Sequence, residues 1–103
     1  MATKQKIAFA RVASAARARG EVIVWRWLPN GRREGAEWLA LNPTRGDSKP
    51  GSFKINLRTG SWADFATGDR GGDLVSLAAY LFRLKQAEAG LRVAGMLGLN
   101  PYE

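Results

Sequence analysis

The chain has 103 residues, 46% of them hydrophobic, and a formal net charge of +7. This length and apolar content favour one compact domain spanning residues 1–103. The chain contains no cysteine and no histidine, which excludes disulfides, thiolate catalysis, histidine-dependent triads and ordinary zinc sites. It has neither a secretory signal nor an apolar run near the roughly 18 residues of a membrane span, so we expect a cytoplasmic protein.

The positive charge lies mainly in the first half of the chain. Residues 1–20 contain five Lys or Arg and no acid, residues 21–57 have a net charge of +2, and residues 58–103 are balanced. Clustered cations attract polyanions, because each cation placed near a phosphate releases condensed counterions. The charge therefore favours a nucleic-acid partner, with a basic surface that serves only solubility as the alternative.

The first predicted element is an Ala- and Arg-rich helix at residues 4–19. Apolar residues recur at positions i, i+3, i+4 and i+7 from Phe9, and Gly20 is suited to end the helix. Lys4 and Arg11 fall on the opposite side, where they would face solvent or phosphate.

Four short segments between residues 21 and 66 are predicted to form one antiparallel sheet. The first is β-branched and aromatic, and Asn30-Gly31 after it indicates a hairpin turn. The third alternates Phe53, Ile55 and Leu57 with polar residues, as a half-buried strand does. The predicted strands are EVIVWRWL, EWLALN, SFKINL and SWADF, at residues 21–28, 37–42, 52–57 and 61–65.

Two helices are predicted after the sheet. Asp73 is suited to cap the first, whose apolar residues keep helical spacing to about Glu88. The second is GLRVAGMLGL, at residues 90–99. The predicted fold is α+β: a small antiparallel sheet of about four strands (21–66) flanked by a basic N-terminal helix (4–19) and C-terminal helices (73–99).

Four short motifs follow one another at residues 42–45 (Asn-Pro-Thr-Arg), 50–53 (Pro-Gly-Ser-Phe), 64–68 (Asp-Phe-Ala-Thr-Gly) and 71–74 (Gly-Gly-Asp-Leu). Their order resembles the CHC2-type zinc-ribbon domain of bacterial and phage DNA primases, where Cys-Pro-x-His and Cys-Phe-x-Cys-Gly supply the zinc ligands. Asn42 and Arg45 stand at the first ligand pair, and Asp64 and Thr67 at the second. The run from Trp62 to Leu77 resembles metal-free variants of this domain in phage and plasmid primase-helicases.

The resemblance implies a zinc-ribbon-like sheet without its metal. In a zinc ribbon the metal joins two turns and supplies folding energy. We expect Arg45 and Asp64 to bridge the same turns by a charge-assisted hydrogen bond, with Asn42 and Thr67 as polar partners. One carboxylate and two neutral oxygens beside an arginine make a poor magnesium or calcium site, so no metal and no cofactor are expected.

Several basic residues are candidates for binding nucleic acid, although a solvated charged edge that discourages sheet pairing is the alternative. The loop GDRGGD contributes Arg70, whereas its glycines and Asp73 have a structural explanation as turn and helix cap. Trp25 and Trp27 would either stack on bases or belong to the core. The candidates are Lys4, Arg11, Arg26, Arg32, Arg33, Lys49, Lys54, Arg58 and Arg70.

The function that the resemblance implies is DNA binding in replication. Primase zinc ribbons present template DNA to a separate polymerising domain, so we expect a non-catalytic domain that contacts phosphates of single-stranded or template DNA. Its acids are scattered and do not suggest two-metal catalysis, so it is not expected to be an enzyme. The alternative is a phage or plasmid interaction protein that reuses the fold to dock on a nucleoprotein complex and inhibit it.

Overall fold

A computed structural model describes residues 5–103, and its elements form an antiparallel sheet packed against helices. The strands lie side by side in chain order, β1-β2-β3-β4-β5, which confirms the α+β class. Lys4 lies outside the described residues. The elements are α1 Phe9–Ala18, α2 Gly20–Trp27, β1 Arg32–Glu34, β2 Glu37–Ala40, β3 Phe53–Asn56, β4 Trp62–Asp64, β5 Arg70–Gly71, α3 Leu74–Phe82 and α4 Gln86–Leu97.

The two faces of the sheet differ in burial. In β3, Phe53 and Ile55 are fully buried while the alternate residues Lys54 and Asn56 are half-buried, which confirms the predicted alternation. The buried residues belong to one apolar cluster with side chains of all four described helices. We call this helix-packed side the inner face of the sheet, and the side that carries Lys54 and Asn56 the outer face.

The prediction of a strand at residues 21–28 was wrong, because this segment forms helix α2. Its buried residues are Gly20, Ile23 and Val24, at helical spacing, while Val22 and Trp25 are exposed. Tertiary packing of one face of the segment therefore outweighed the preference of β-branched residues for a strand.

The first hairpin is also placed differently from the prediction. Its turn is at Gly35, which has a φ of +60°, and it joins β1 to β2. Asn30-Gly31 instead ends the connection after α2. The indole of Trp38 packs against Gly31, where a Cβ would collide with it, and donates a hydrogen bond to the carbonyl of Leu28 at 3.1 Å.

The glycine-rich segment after β4 adds a strand that the sequence did not predict. Arg70 and Gly71 pair with Ala63 and Trp62, so the sheet has five strands where about four were predicted. A strand of two residues is too short to show a periodic pattern in the sequence. The consequence is that Arg70 becomes part of the sheet and does not belong to a free loop.

The C-terminal helices were predicted in the right place but with the wrong division. Asp73 caps α3 as predicted, since its Oδ1 accepts a hydrogen bond from the amide of Ser76 at 2.8 Å. The helix ends at Phe82 and not near Glu88, because Arg83 adopts a left-handed conformation with a φ of 54°. A new helix, α4, then begins at Gln86.

Substitutions just before α3 are expected to lower the free energy of unfolding by different amounts. Asp73→Ala is expected to lower the free energy of unfolding by about 1 kcal/mol because the cap is lost. Gly71→Ala is expected to cost about 1–3 kcal/mol, because a Cβ there would collide with Trp62 and Ser76, whereas at Gly72 it would meet no atom within 4 Å. Thermal melts of Gly71→Ala and Gly72→Ala provide the comparison, and equal melting temperatures would contradict this packing.

The described ends of the chain are joined to each other. Residues 6–8 are hydrogen-bonded to residues 101–103 in an antiparallel bridge. Arg11 in α1 reinforces it, donating to the carbonyl oxygens of Asn100 at 2.8 Å and Tyr102 at 2.5 Å. We call this arrangement the terminal clasp. Within residues 5–103, no helix combines the length and apolar character needed to cross a bilayer.

Candidate nucleic-acid interface

An ion pair with a buried carboxylate lies where the resemblance places the zinc ligands. The Nε of Arg45 is 2.8 Å from Oδ2 of Asp64, and its Nη2 is 3.3 Å from Oδ1. Asp64 ends β4 and is fully buried, and Arg45 lies in the loop after β2. The predicted bridge between the two turns is therefore present.

Asn42 completes the environment of this carboxylate. It is 1% exposed and donates from Nδ2 to Asp64 Oδ2 at 2.8 Å. The backbone amide of Ala66 donates to Asp64 Oδ1 at 2.9 Å. Arg45 also contacts Asp47 and Ser52, at 3.3 and 2.8 Å. Among residues 5–103, no buried side-chain polar atom lacks a partner, so this group of polar residues is fully satisfied.

The protonation of Asp64 follows from these contacts. Burial by itself raises the pKa of the carboxyl group, but the hydrogen bonds from Arg45, Asn42 and the Ala66 amide outweigh it. The pKa of Asp64 is therefore well below its usual range, and the group is ionised at neutral pH. The hydrogen bond to Asp64 in turn raises the pKa of Arg45.

Tyr80 brings a third element, helix α3, into this arrangement. Its Oη accepts a hydrogen bond from Asn42 Nδ2 at 2.8 Å and donates to Asp69 Oδ2 at 2.7 Å. Thr44 Oγ1 lies 3.1 Å from Tyr80 Oη. Tyr80 was not among the predicted site residues, and its only signal in the sequence was a hydroxyl in a helix whose one other polar side chain is that of Ser76. We use the term polar network for Asn42, Thr44, Arg45, Asp47, Ser52, Asp64, Asp69 and Tyr80.

Thr67 was expected to be a polar partner of the Arg45–Asp64 bridge, but its side chain does not bond to the side chains of the polar network. Its hydroxyl lies 3.5 Å from the carbonyl of Asp64 and accepts from the amide of Asp69, so it shapes the turn locally. The four positions that the resemblance aligns with zinc ligands also do not fit a zinc ion, because Asp64 is occupied by hydrogen bonds and Arg45 brings a positive charge. Residues 5–103 contain no cluster of three or more Asp, Glu, His or Cys suited to a metal.

A row of side chains crosses all five strands on the outer face. The strand register places Arg32 opposite Leu39, Leu39 opposite Lys54, Lys54 opposite Ala63, and Ala63 opposite Arg70. Strands are spaced by about 4.8 Å, so the row extends over roughly 19 Å. We call it the cross-strand row. It places three cations on the face opposite the helices.

The cations of the cross-strand row differ in their partners. Arg32 forms an exposed ion pair with Glu34 at 2.8 Å. Lys54 and Arg70 form no ion pair with any described residue within 4 Å, and both line a depression of about 530 Å³ on the outer face. Phe65 lies at its edge, with the Lys54 ammonium 5.8 Å from the ring centroid. This end of the row therefore offers unpaired positive charge beside an aromatic ring.

The other candidate residues are distributed over several surfaces. Arg11 is used by the terminal clasp. Arg33 pairs with Glu21 at 2.6 Å and, next to Arg32 in the strand, points to the opposite face. The remaining three are exposed: Arg26 on α2, Lys49 in the loop after β2, and Arg58 in the turn after β3.

The tryptophans are mostly core residues, but one is not. Trp38 and Trp62 are 4% and 6% exposed and lie on the inner face, while Trp27 is partly buried against Phe82 with ring centroids 5.7 Å apart. Trp25 is 61% exposed on α2. Trp25 and Trp27 therefore form no stacking platform on the sheet, contrary to the alternative considered from sequence.

The architecture is similar to that of a solved bacterial protein, the Aquifex aeolicus primase, in a crystal structure of its zinc-binding and RNA polymerase domains. The TM-score is 0.69 at 21% sequence identity, over 86% of this chain and 22% of the primase chain. This chain thus spans about a fifth of that protein, and the similarity shows a primase-like fold. No protein-family model matches the chain, and no curated protein matches it either.

Proposed function

We propose that this chain, which has a primase-like fold, is a non-catalytic module that binds single-stranded DNA in replication, as the template-binding ribbon of primases does. The observation that carries the proposal is the cross-strand row, which places Arg32, Lys54 and Arg70 on the outer face of the sheet. Cations aligned across a sheet can each contact a phosphate of a strand that runs across it. The net charge of +7 supports a polyanionic partner.

The chemistry around the outer face supports binding without catalysis. The buried carboxylate, Asp64, is held by Arg45 and Asn42 and faces the protein interior. On the outer face Glu34 and Glu37 lie side by side, but Glu34 is paired with Arg32. These residues supply no arrangement of carboxylates that would hold two metal ions for phosphoryl transfer.

The direct test is a binding titration of the full chain against a single-stranded oligonucleotide at several salt concentrations. Two or three phosphate contacts predict that log K falls with log salt with a slope of about −1.4 to −2.1. Fluorescence anisotropy between about 50 and 200 mM salt covers the informative range. A duplex of the same length serves as the comparison. Affinity that is undetectable, or independent of salt, would refute DNA binding.

A second candidate function is supported by the helical side of the molecule. Val22 and Trp25 are 70% and 61% exposed on α2. Elsewhere on the helical side, Trp27, Phe82 and Met96 line a mostly apolar groove. Exposed large apolar residues of this kind are typical of protein interfaces. Docking on a nucleoprotein complex is therefore the alternative. Co-purification of a protein that is lost on Trp25→Ala, combined with failure to bind oligonucleotide, would favour it.

A further inference from the structure

Phe65 is an exposed aromatic side chain on an otherwise ordered turn. Its side chain is 72% exposed, so it contributes little to the core. Its backbone is fixed, because its amide donates to the carbonyl of Ser52 at 2.8 Å. The next amide, that of Ala66, donates to the buried Asp64 carboxylate at 2.9 Å. These hydrogen bonds thus fix the backbone that carries the ring at the surface.

The surroundings of Phe65 match what an unpaired nucleotide requires. The depression beside the ring, about 530 Å³, is within the usual size of small-molecule sites. Its lining includes Ala63, with Lys54 and Arg70 opposite Ala63 on the two neighbouring strands. Aromatic rings next to cations bind single strands by stacking on bases while the cations contact phosphates.

We infer that Phe65 is a stacking platform for one unpaired base of a single strand, with Lys54 and Arg70 on the adjoining phosphates. This inference rests on the proposed function. It adds that the base of a nucleotide is bound as well as its phosphate. Any base can stack, because every base has a π-face, so no sequence preference is required. A duplex hides its base faces in the stack, so the ring favours single strands over duplexes.

The test compares two oligonucleotides with the same number of phosphates, one of deoxythymidine and one fully abasic. The unmodified protein is expected to bind the deoxythymidine strand about 5- to 150-fold more tightly. Phe65→Leu keeps apolar bulk but removes the ring, so it is expected to bind both strands alike, with an unchanged salt slope. Phe65→Trp should retain the preference.

The matched control is Phe82→Leu, which removes another half-exposed phenylalanine, from the helical side. It should bind like the unmodified protein. If salt-dependent binding is seen but Phe65→Leu keeps the preference, or the unmodified protein shows none, the stacking inference is wrong and the proposed function stands. If neither oligonucleotide binds in a salt-dependent manner, the proposed function fails and the inference fails with it.

Discussion

Asp64→Ala is expected to lower the free energy of unfolding by about 3 kcal/mol, because hydrogen bonds to a charged group contribute about 1.5–3 kcal/mol each and this carboxylate accepts several. The carboxylate is fully buried and accepts hydrogen bonds from Arg45, Asn42 and the amide of Ala66. Its loss removes an acceptor from each of these donors, and Arg45 and Asn42 keep only their other contacts. A domain of this size has a total stability of about 5–15 kcal/mol, so urea denaturation should show a large shift of the midpoint.

The effect of acid distinguishes this ion pair from ordinary packing. A carboxyl group whose pKa is lowered by folding stabilises the native state above its unfolded pKa of about 4, and this stabilisation is lost as the pH falls towards the folded pKa. The difference in stability between the unmodified protein and Asp64→Ala should therefore be constant near neutral pH and narrow progressively below about pH 4.

A double-mutant cycle with Arg45→Ala provides the control for Asp64→Ala. Arg45→Ala alone should lower the melting temperature, because it leaves the Asp64 charge buried without its cation. The double variant should lose less stability than the sum of the two single losses, because the two side chains interact directly. Additive losses, or a difference that does not change in acid, would contradict the assignment.

Lys54→Ala/Arg70→Ala is expected to flatten the salt dependence of single-stranded DNA binding by about 1.4 in slope, since each lost phosphate contact contributes about 0.7. These cations belong to the cross-strand row and form no ion pair with a described residue within 4 Å. Folding should be nearly unaffected, because neither side chain is buried. Anisotropy titrations over the salt range, together with a thermal melt, measure both quantities.

Arg26→Ala/Arg92→Ala removes the same amount of charge from the helical side. Both arginines are exposed, on α2 and α4. General electrostatic attraction would make the two double variants equivalent, whereas a binding face on the sheet predicts that the slope changes only with Lys54 and Arg70. If both double variants flatten the salt dependence of binding, the DNA interface is not confined to the outer face.

The sequence predicted the strands whose burial alternates and missed those that depend on neighbours. Phe53 and Ile55 alternate with polar residues, and β3 lies where that pattern placed it. At residues 21–28 the composition favoured a strand, but packing of Ile23 and Val24 against the core produced a helix. Strand β5 exists only because Arg70 and Gly71 pair with β4, and a two-residue strand has no pattern of its own.

The candidate site was predictable in part. The resemblance to primase zinc ribbons implied that Asn42, Arg45 and Asp64 would meet, and they do. Tyr80 could not be assigned to the polar network, because its position depends on how α3 packs over the sheet. The exposure of Phe65 likewise depends on the direction in which a turn points, and residue type alone does not determine this direction.

The terminal clasp has a consequence for the order in which the molecule folds. Arg11 and Tyr102 are 91 residues apart, and closing so long a loop in an unfolded chain costs entropy before any contact offsets it. The clasp therefore forms only after the sheet and helices have brought both of its halves together. By the same reasoning it opens before the core does, and its amides exchange with solvent through local opening. The clasp therefore slows unfolding but does not accelerate folding.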